Sequence, residues 1–439
     1  MVFDQLNAFF EQNNVFCASQ YGFRSGKSTQ CAIDDLVRNV LEAFESKSYA
    51  QATFCDLSKA FDCVDHKQLL SKLEYYGIMG TTLKFLESYL CNREQLVCVN
   101  GEWSNKVTVQ HGVPQGSILG PLLFLISIND LPSNISNPIK TILYADDTTF
   151  FCNANTLDEL DQCVKRSLEE GSNWFQTNYF KLNNEKTQNL IFSLRNINCD
   201  VLPFENNSVK FLGLFFDSKL QWDNHIDYLC TRLSRVVYLI RRLKSLVDGN
   251  YIKMVYFAFF QSVYRYGLVF WGGSSRVKEI LLLQKKVIRI LSGAPYDAHC
   301  RPLFENLEIP TVVNLYIYDL FSYALSQSPF LTFCNDLHSY NTRNSSNINR
   351  TCLRLSKTLQ SHVVMSHKVY NKLNKYTKIQ QLTYGSEFIL KKFYKWLLIH
   401  PFYSIDEFFL LDSVFFINLT KQPSCVFFNF LCLLVTNRF

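Results

Sequence analysis

The sequence contains no C-x-x-C pair and no H-x-x-x-H pair, although it has fifteen cysteines and eight histidines. Scattered cysteines, odd in number, exclude a secreted disulfide framework and offer no zinc-site spacing. They point to a reducing compartment, the nucleus or the cytoplasm. No basic-then-apolar segment opens the chain, so no secretory signal is expected, and a sequon such as Asn134-Ile135-Ser136 carries no glycosylation meaning. No late apolar run is long enough to span a bilayer. The longest, CVFFNFLCLLV over 425–435, has eleven residues where about 20 are needed. No membrane partner is therefore expected, and no internal repeat is visible.

A phosphate-binding loop is also missing, although QYGFRSGKST (20–29) ends in the Gly26-Lys27-Ser28 of one. Such a loop needs four residues between its first glycine and the Gly-Lys pair, so that backbone amides can wrap the phosphates. Only three separate Gly22 from Gly26, and Tyr21 stands where the glycine should be. The preceding MVFDQLNAFFEQNNVF has helical rather than strand periodicity, with Phe3, Leu6, Phe9 and Phe10 on one side. An NTPase is excluded.

What is present is apolar surface in quantity. Hydrophobic residues make up 48% of the 439 positions and charged ones 19%, enough for two or three packed units and unlike a disordered chain. The net charge of +6 is uneven. Residues 228–289 hold twelve Lys/Arg against Asp248 and Glu279, and residues 341–399 hold eleven against Glu387. Two basic bands on an acidic remainder fit a polyanion partner or a set of solvated helix faces.

The patterning predicts a helix from Ser28 or Thr29 to about Lys47, with Ile33, Leu36, Val37, Val40, Leu41 and Phe44 as its apolar stripe. QATFCDL (51–57) reads as a buried strand, HKQLLSKLEYYG as a helix stopped by Gly77, and 81–91 as another helix. EQLVCVNGEWSNKVTV alternates and turns at Asn100-Gly101. SILGPLLFLISINDL (117–131) reads as an apolar helix broken early by Pro121. A long helix is expected over 157–178, strands near 187–193 and 208–216, and basic helices over 222–292. This mixed order predicts an α+β fold with an antiparallel sheet, followed by a helical unit.

The sharpest chemistry lies in YADD, Tyr144 to Asp147, two acids between β-forming stretches. Adjacent carboxylates on a tight hairpin repel each other. Taken alone, the pair is also compatible with an ordinary solvated turn. Asp56 adds a third acid where the run ATFC meets a loop. Acids at two strand ends can converge on one side of a sheet, an oxygen-only set that suits Mg²⁺. Two such ions can stabilise the attacking and leaving oxygens of in-line phosphoryl transfer.

These motifs, in order, resemble the reverse transcriptase of non-LTR retrotransposons, nearest to jockey-like elements. The carriers are QYGFRSGKST, FCDLSKAFDCVDH (54–66), HGVPQGSILGPLLFLISINDLP (111–132), YADD, KLNNEKT (181–187) and VKFLGLFFD (209–217). The resemblance implies a right-hand polymerase: partial fingers and antiparallel palm over 1–220, a helical thumb over 221–300, a basic helical region over 301–400, and an apolar tail over 401–439 outside the fold. It implies RNA-directed DNA polymerase activity on an RNA template and a DNA primer, with deoxynucleoside triphosphates as substrates. Two Mg²⁺ are implied, Mn²⁺ being a possible substitute.

Asp56, Asp146 and Asp147 would be the metal-binding acids, while Asp62 suits a structural role. Lys186 would neutralise or protonate the leaving pyrophosphate, or else be a surface lysine. Phe61 would exclude a ribose 2′-OH, or else be core. Gln115 and Gly116 would lie near the nascent base pair, and Gly116 permits close backbone approach. Arg24 and Lys27 would face phosphates, with a packed salt bridge as the alternative for Arg24. Leu212 and Gly213 would fall in the strand that grips the primer. Arg232, Arg235, Arg241, Arg242 and Lys244 would meet duplex phosphates. Tyr370, Lys372, Lys375, Tyr376, Lys391, Lys392, Tyr394, Lys395 and Trp396 would stack on single strands, or form an amphipathic helix pair.

The family's polymerase normally carries more fingers strands and an endonuclease domain before this point, so a truncated copy or incomplete gene model is expected. Two readings stay open: a working reverse transcriptase, and a catalytically inactive nucleic-acid-binding remnant of one.

Overall fold

The computed structural model describes residues 1–195, 208–327, 331–337, 346–349, 352–377 and 386–411. It divides into two units, Met1–Tyr228 with Leu353–Thr358, and Leu229–Cys352 with Leu359–Phe439.

The first unit is built on a four-stranded antiparallel sheet. Its helices and strands, in chain order, are α1 (Val2–Gln12), α2 (Thr29–Glu45), β1 (Tyr49–Cys55), α3 (His66–Tyr75), α4 (Gly80–Leu90), β2 (Arg93–Gln95), β3 (Cys98–Val99), β4 (Glu102–Trp103), β5 (Val107–Val109), α5 (Leu119–Ile128), β6 (Lys140–Tyr144), β7 (Asp147–Ala154), α6 (Leu157–Thr177), β8 (Gln188–Phe192), β9 (Ser208–Phe211) and β10 (Leu214–Asp217), and most of the next helix, α7 (Asp223–Leu243), belongs to the second unit. The sheet order is β6-β7-β1-β8. α2 packs on the sheet because its apolar residues recur at helical spacing, and all six of the expected stripe are buried. α6 starts at a Thr156/Glu159 capping box. It lies so close to the sheet that a Cβ at Gly171 would meet the Phe150 ring at 2.7 Å. Asn100 and Gly101, both at positive φ, turn β3 into β4 as expected.

Pro121 does not break its helix. It is the third residue of α5, where the missing amide proton would have had no intrahelical partner anyway. α5 is buried all round, from Leu122 to Ile128, so it reads as a core helix rather than an amphipathic one.

Segment Leu353–Thr358 belongs to this first unit through Glu45, at the end of α2. The Glu45 carboxylate accepts from Arg354 N at 3.1 Å, from Leu355 N at 3.0 Å and from Thr358 Oγ1. The Arg354 guanidinium donates to the last carbonyls of α2, Phe44 O at 3.3 Å and Glu45 O at 3.2 Å. Glu45→Ala leaves two backbone donors, Arg354 N and Leu355 N, without their acceptor. It is expected to cost the first unit about 1–3 kcal/mol, read from denaturant unfolding of the full chain.

The second unit is helical, and the parts expected as 221–300 and 301–400 form one body in it from Leu229 onward. Gln284 is fully buried at its centre. Its Nε2 lies within hydrogen-bond distance of Tyr256 OH, Tyr264 OH and Pro310 O, and its Oε1 accepts from Val312 N. The expected tail boundary at 401 also moves. Phe402 and Phe408 are buried, and Thr311 Oγ1 donates to Phe402 O at 2.7 Å. Residues 401–411 are therefore part of the fold, and 412–439 lie outside the described residues. Among the expected stacking residues, Tyr370 and Trp396 are core side chains at 2% and 6% exposure. Lys372 donates to Phe409 O and Leu411 O. The amphipathic alternative accounts for these residues.

Candidate active site

Strand register brings the acids together. Cys55 of β1 pairs with Thr148 of β7, and Tyr144 of β6 pairs with Asp147 of β7. Asp56 therefore leaves β1 beside the start of β7, and Ala145-Asp146 is a two-residue turn between β6 and β7. Its loop is tight enough that Ala145 takes a left-handed φ of 55°, unfavourable for a residue with a Cβ.

The electrostatics show the crowding. Burial, followed by the nearby Asp146 and Asp56 charges, pushes the Asp147 carboxyl up to about 6. Asp146 is raised by burial, with Asp56 adding to the shift. As a whole residue, Asp147 still has more than a third of its surface open. Lys186 Nζ lies 3.6 Å from Asp56 Oδ2, an exposed pair at the same end of the sheet.

The other expected site residues divide. Phe61 stacks on Phe124, centroids 4.4 Å apart and planes at 20°, with the edge of Phe23 at 6.3 Å. Gln115 Nε2 donates to Asp62 Oδ1 at 2.7 Å, a solvent-exposed bond. Gly116 has φ +82° and nothing within 4 Å of where a Cβ would stand.

Arg24 is engaged within the chain. It is clamped by two bonds to Glu11 at 3.0 and 2.6 Å, donates to Cys17 O, and lies over the Phe16 ring. Its charge is matched locally, as the salt-bridge alternative held. Lys27 donates to Ala18 O at 2.5 Å and lies over the Tyr21 ring.

Leu212 and Gly213 are not in a strand. They are the two-residue turn between β9 and β10, at φ 42° and 89°, because two consecutive left-handed residues close a hairpin whose twist matches its strands. Arg232, Arg235, Arg241 and Arg242 are exposed on α7, whose other face buries Leu229, Leu233, Val237 and Ile240. Lys244 instead donates to Ile290 O at the end of helix Val277–Ser292, a favourable place for a cation.

Sequence reading missed the segment that supports the turn. Ser19 to Gly22 run along β6, with Tyr21 N donating to Leu143 O at 2.8 Å and Leu143 N to Ser19 O at 2.9 Å. Gln20 Oε1 accepts from Gly22 N at 2.8 Å and from Ala145 N at 3.0 Å. A Cβ on Gly22 would stand 2.4 Å from Ala145 N. The stretch first noticed for its Gly-Lys-Ser thus braces the acidic turn with its backbone and one amide.

The profile of the reverse transcriptase (RNA-dependent DNA polymerase) family matches residues 1–216. These residues are a reverse transcriptase domain. Three relatives come from Drosophila melanogaster. The probable RNA-directed DNA polymerase from transposon BS is 30% identical over 338 residues, covering 71% of this chain and 36% of the relative. The RNA-directed DNA polymerase from mobile element jockey is 29% identical, covering 66% and 34%. The probable polymerase from transposon X-element is 28% identical, covering 71% and 36%. The reverse transcriptase domain thus groups with jockey-like non-LTR elements. The chain spans about a third of the length of these relatives. Among solved structures, telomerase chains from Candida tropicalis and Candida albicans align at TM-scores of 0.39 and 0.38. They are 14% and 13% identical, covering 72% and 75% of this chain and 53% and 56% of theirs.

Reverse transcriptases generally use divalent metal ions. The donor chemistry fits one: three neighbouring carboxylates, with no imidazole or thiolate among them, make a hard oxygen set, and Asp146 and Asp147 both feel the charge of Asp56. Among the described residues, no three such side chains are closed around a common point in their present rotamers.

Proposed function

We propose that this chain is an RNA-directed DNA polymerase of a non-LTR element, extending a DNA primer on an RNA template with deoxynucleoside triphosphates. The observation that carries the reading is the convergence of Asp56, Asp146 and Asp147 at one end of an antiparallel sheet in a reverse transcriptase domain. Asp56, Asp146 and Asp147 would hold two Mg²⁺, with Mn²⁺ as a substitute. When bound, such ions stabilise the attacking and leaving oxygens of phosphoryl transfer. Lys186 is near enough to Asp56 to offer charge or a proton to departing pyrophosphate. The exposed arginines of α7 suit duplex phosphates, so binding should weaken steeply with salt. Every described cysteine is free, which supports work in a reducing compartment, the nucleus or the cytoplasm.

Primer extension on an RNA template in Mg²⁺ tests the proposal. Templated DNA product supports it. Salt-sensitive RNA binding with no product means that the chain is a binding remnant.

Phe61 gives a finer test. One face of its ring is fixed on Phe124, and the residue is only partly buried. Under this reading the ring sits below the incoming sugar and excludes a 2′-OH. Phe61→Ala is expected to raise ribonucleotide incorporation relative to deoxynucleotide by about tenfold to a hundredfold. The ratio of kcat/KM values for matched nucleotides measures it, and an unchanged ratio leaves Phe61 a core residue.

A further inference from the structure

We propose that Gln20 is a positioning residue of the active site, fixing the Ala145-Asp146 turn through its side-chain oxygen; this rests on the polymerase reading above. Three observations carry it. Gln20 is 1% exposed, and its backbone is tied along β6 by a parallel bridge to Leu143. The same Oε1 accepts from both Gly22 N and Ala145 N. Two backbone donors require an oxygen, so the orientation of the amide group follows from its partners. The consequence is that Nε2 is buried with no hydrogen-bond partner among the described residues.

That orphan decides between packing and positioning. A buried unpaired amide nitrogen costs about 1–3 kcal/mol, and a leucine or methionine would fill the same space without it. The glutamine contributes only one thing that an apolar residue lacks, an acceptor that ties the Ala145 amide to the Gly22 amide. Ala145 is held in a left-handed conformation that it would otherwise tend to leave. Asp146 follows it directly, so a relaxed Ala145 swings the Asp146 carboxylate away from Asp56 and Asp147. Gln20 acts on the reaction through that turn and need not touch substrate.

The test compares Gln20→Met, which keeps length and loses the acceptor, with Gln20→Glu, which keeps an oxygen there. In primer extension by the full chain, Gln20→Met is expected to lower kcat by about tenfold to a hundredfold, the equivalent of one or two lost hydrogen bonds. The deoxynucleotide KM and RNA affinity should stay within about twofold of wild type, and Gln20→Glu should recover most of kcat. Independently, amide exchange in metal-free protein should accelerate in the peptide around Ala145 for Gln20→Met and not elsewhere in the sheet.

Unchanged exchange at the turn overturns the proposal whether or not the chain polymerises. Faster exchange with unchanged kcat overturns the positioning role. Equal losses in Gln20→Met and Gln20→Glu reduce Gln20 to a packing residue. An inert wild-type chain defeats the polymerase reading alone, since the exchange arm still decides whether Gln20 holds the turn.

Discussion

The double variant Asp146→Asn, Asp147→Asn is expected to lose primer extension and to gain stability in the absence of metal. The two effects have one cause. The wild-type sheet ends in three carboxylates whose charges oppose one another, and Asp147 is pushed up to about 6 by burial, Asp146 and Asp56. A carboxyl whose pKa is raised by folding costs stability above that pKa, so deleting its charge stabilises the protein at neutral pH. Solvent reaches Asp147, and screening reduces the gain to about 1 kcal/mol. That corresponds to a rise of about 2–4 °C in Tm for a unit of this size. Activity moves the other way. Asparagine keeps the shape but not the charge that a divalent cation requires, and extension should fall by about 10³-fold or more. Thermal unfolding in a chelator and extension in Mg²⁺ are the two measurements. Extension surviving in the variant would remove these acids from catalysis. A lower Tm would show that they brace the fold instead of straining it.

Much of this site was legible because its signals are local. The α2 stripe recurs at helical spacing, YADD sits between two β-forming runs, and Asp56 ends a buried strand, so strand register alone brings the acids together. What stayed hidden depends on contacts between distant positions. Gln20 and Ala145 are 125 residues apart, and nothing in either neighbourhood names the other. Arg24 and Glu11 were visible as charges but not as partners, because the turn that joins them has no periodicity to extrapolate. Leu212 lies in an apolar alternating run that reads as strand, and leucine is a rare residue for the left-handed conformation it adopts. The aromatics among the late lysines looked available for stacking. Helical period instead turns Tyr370 and Trp396 into the core.

Gly22→Ala is expected to have the largest effect of any single methyl group added to the domain. The new Cβ would stand 2.4 Å from Ala145 N, 3.0 Å from Tyr144 C and 3.2 Å from Ala145 Cα. All three are backbone atoms of the turn that carries Asp146, so no side chain can rotate away to make room. The Gly22 backbone itself is not in the left-handed region, which makes the whole effect one of contact. Either residues 19–22 lift from β6, losing the bonds to Leu143 and the Gln20 bridge, or the turn moves and takes Asp146 with it. The first route costs stability, about 2–4 kcal/mol by the usual toll of overpacking and lost hydrogen bonds. The second costs rate, about a hundredfold for a displacement on the order of 1 Å at the reacting centre. Gly101→Ala, at the β3–β4 turn, is the control, since Gly101 has φ +89° and nothing within 4 Å of where a Cβ would stand. It should cost only the backbone preference, about 1 kcal/mol. Denaturant unfolding and primer extension on both variants separate the routes. If Gly22→Ala matched wild type in both, the close approach of residues 19–22 to the acidic turn would not exist in solution, and the bracing of Asp146 by this segment would fall with it.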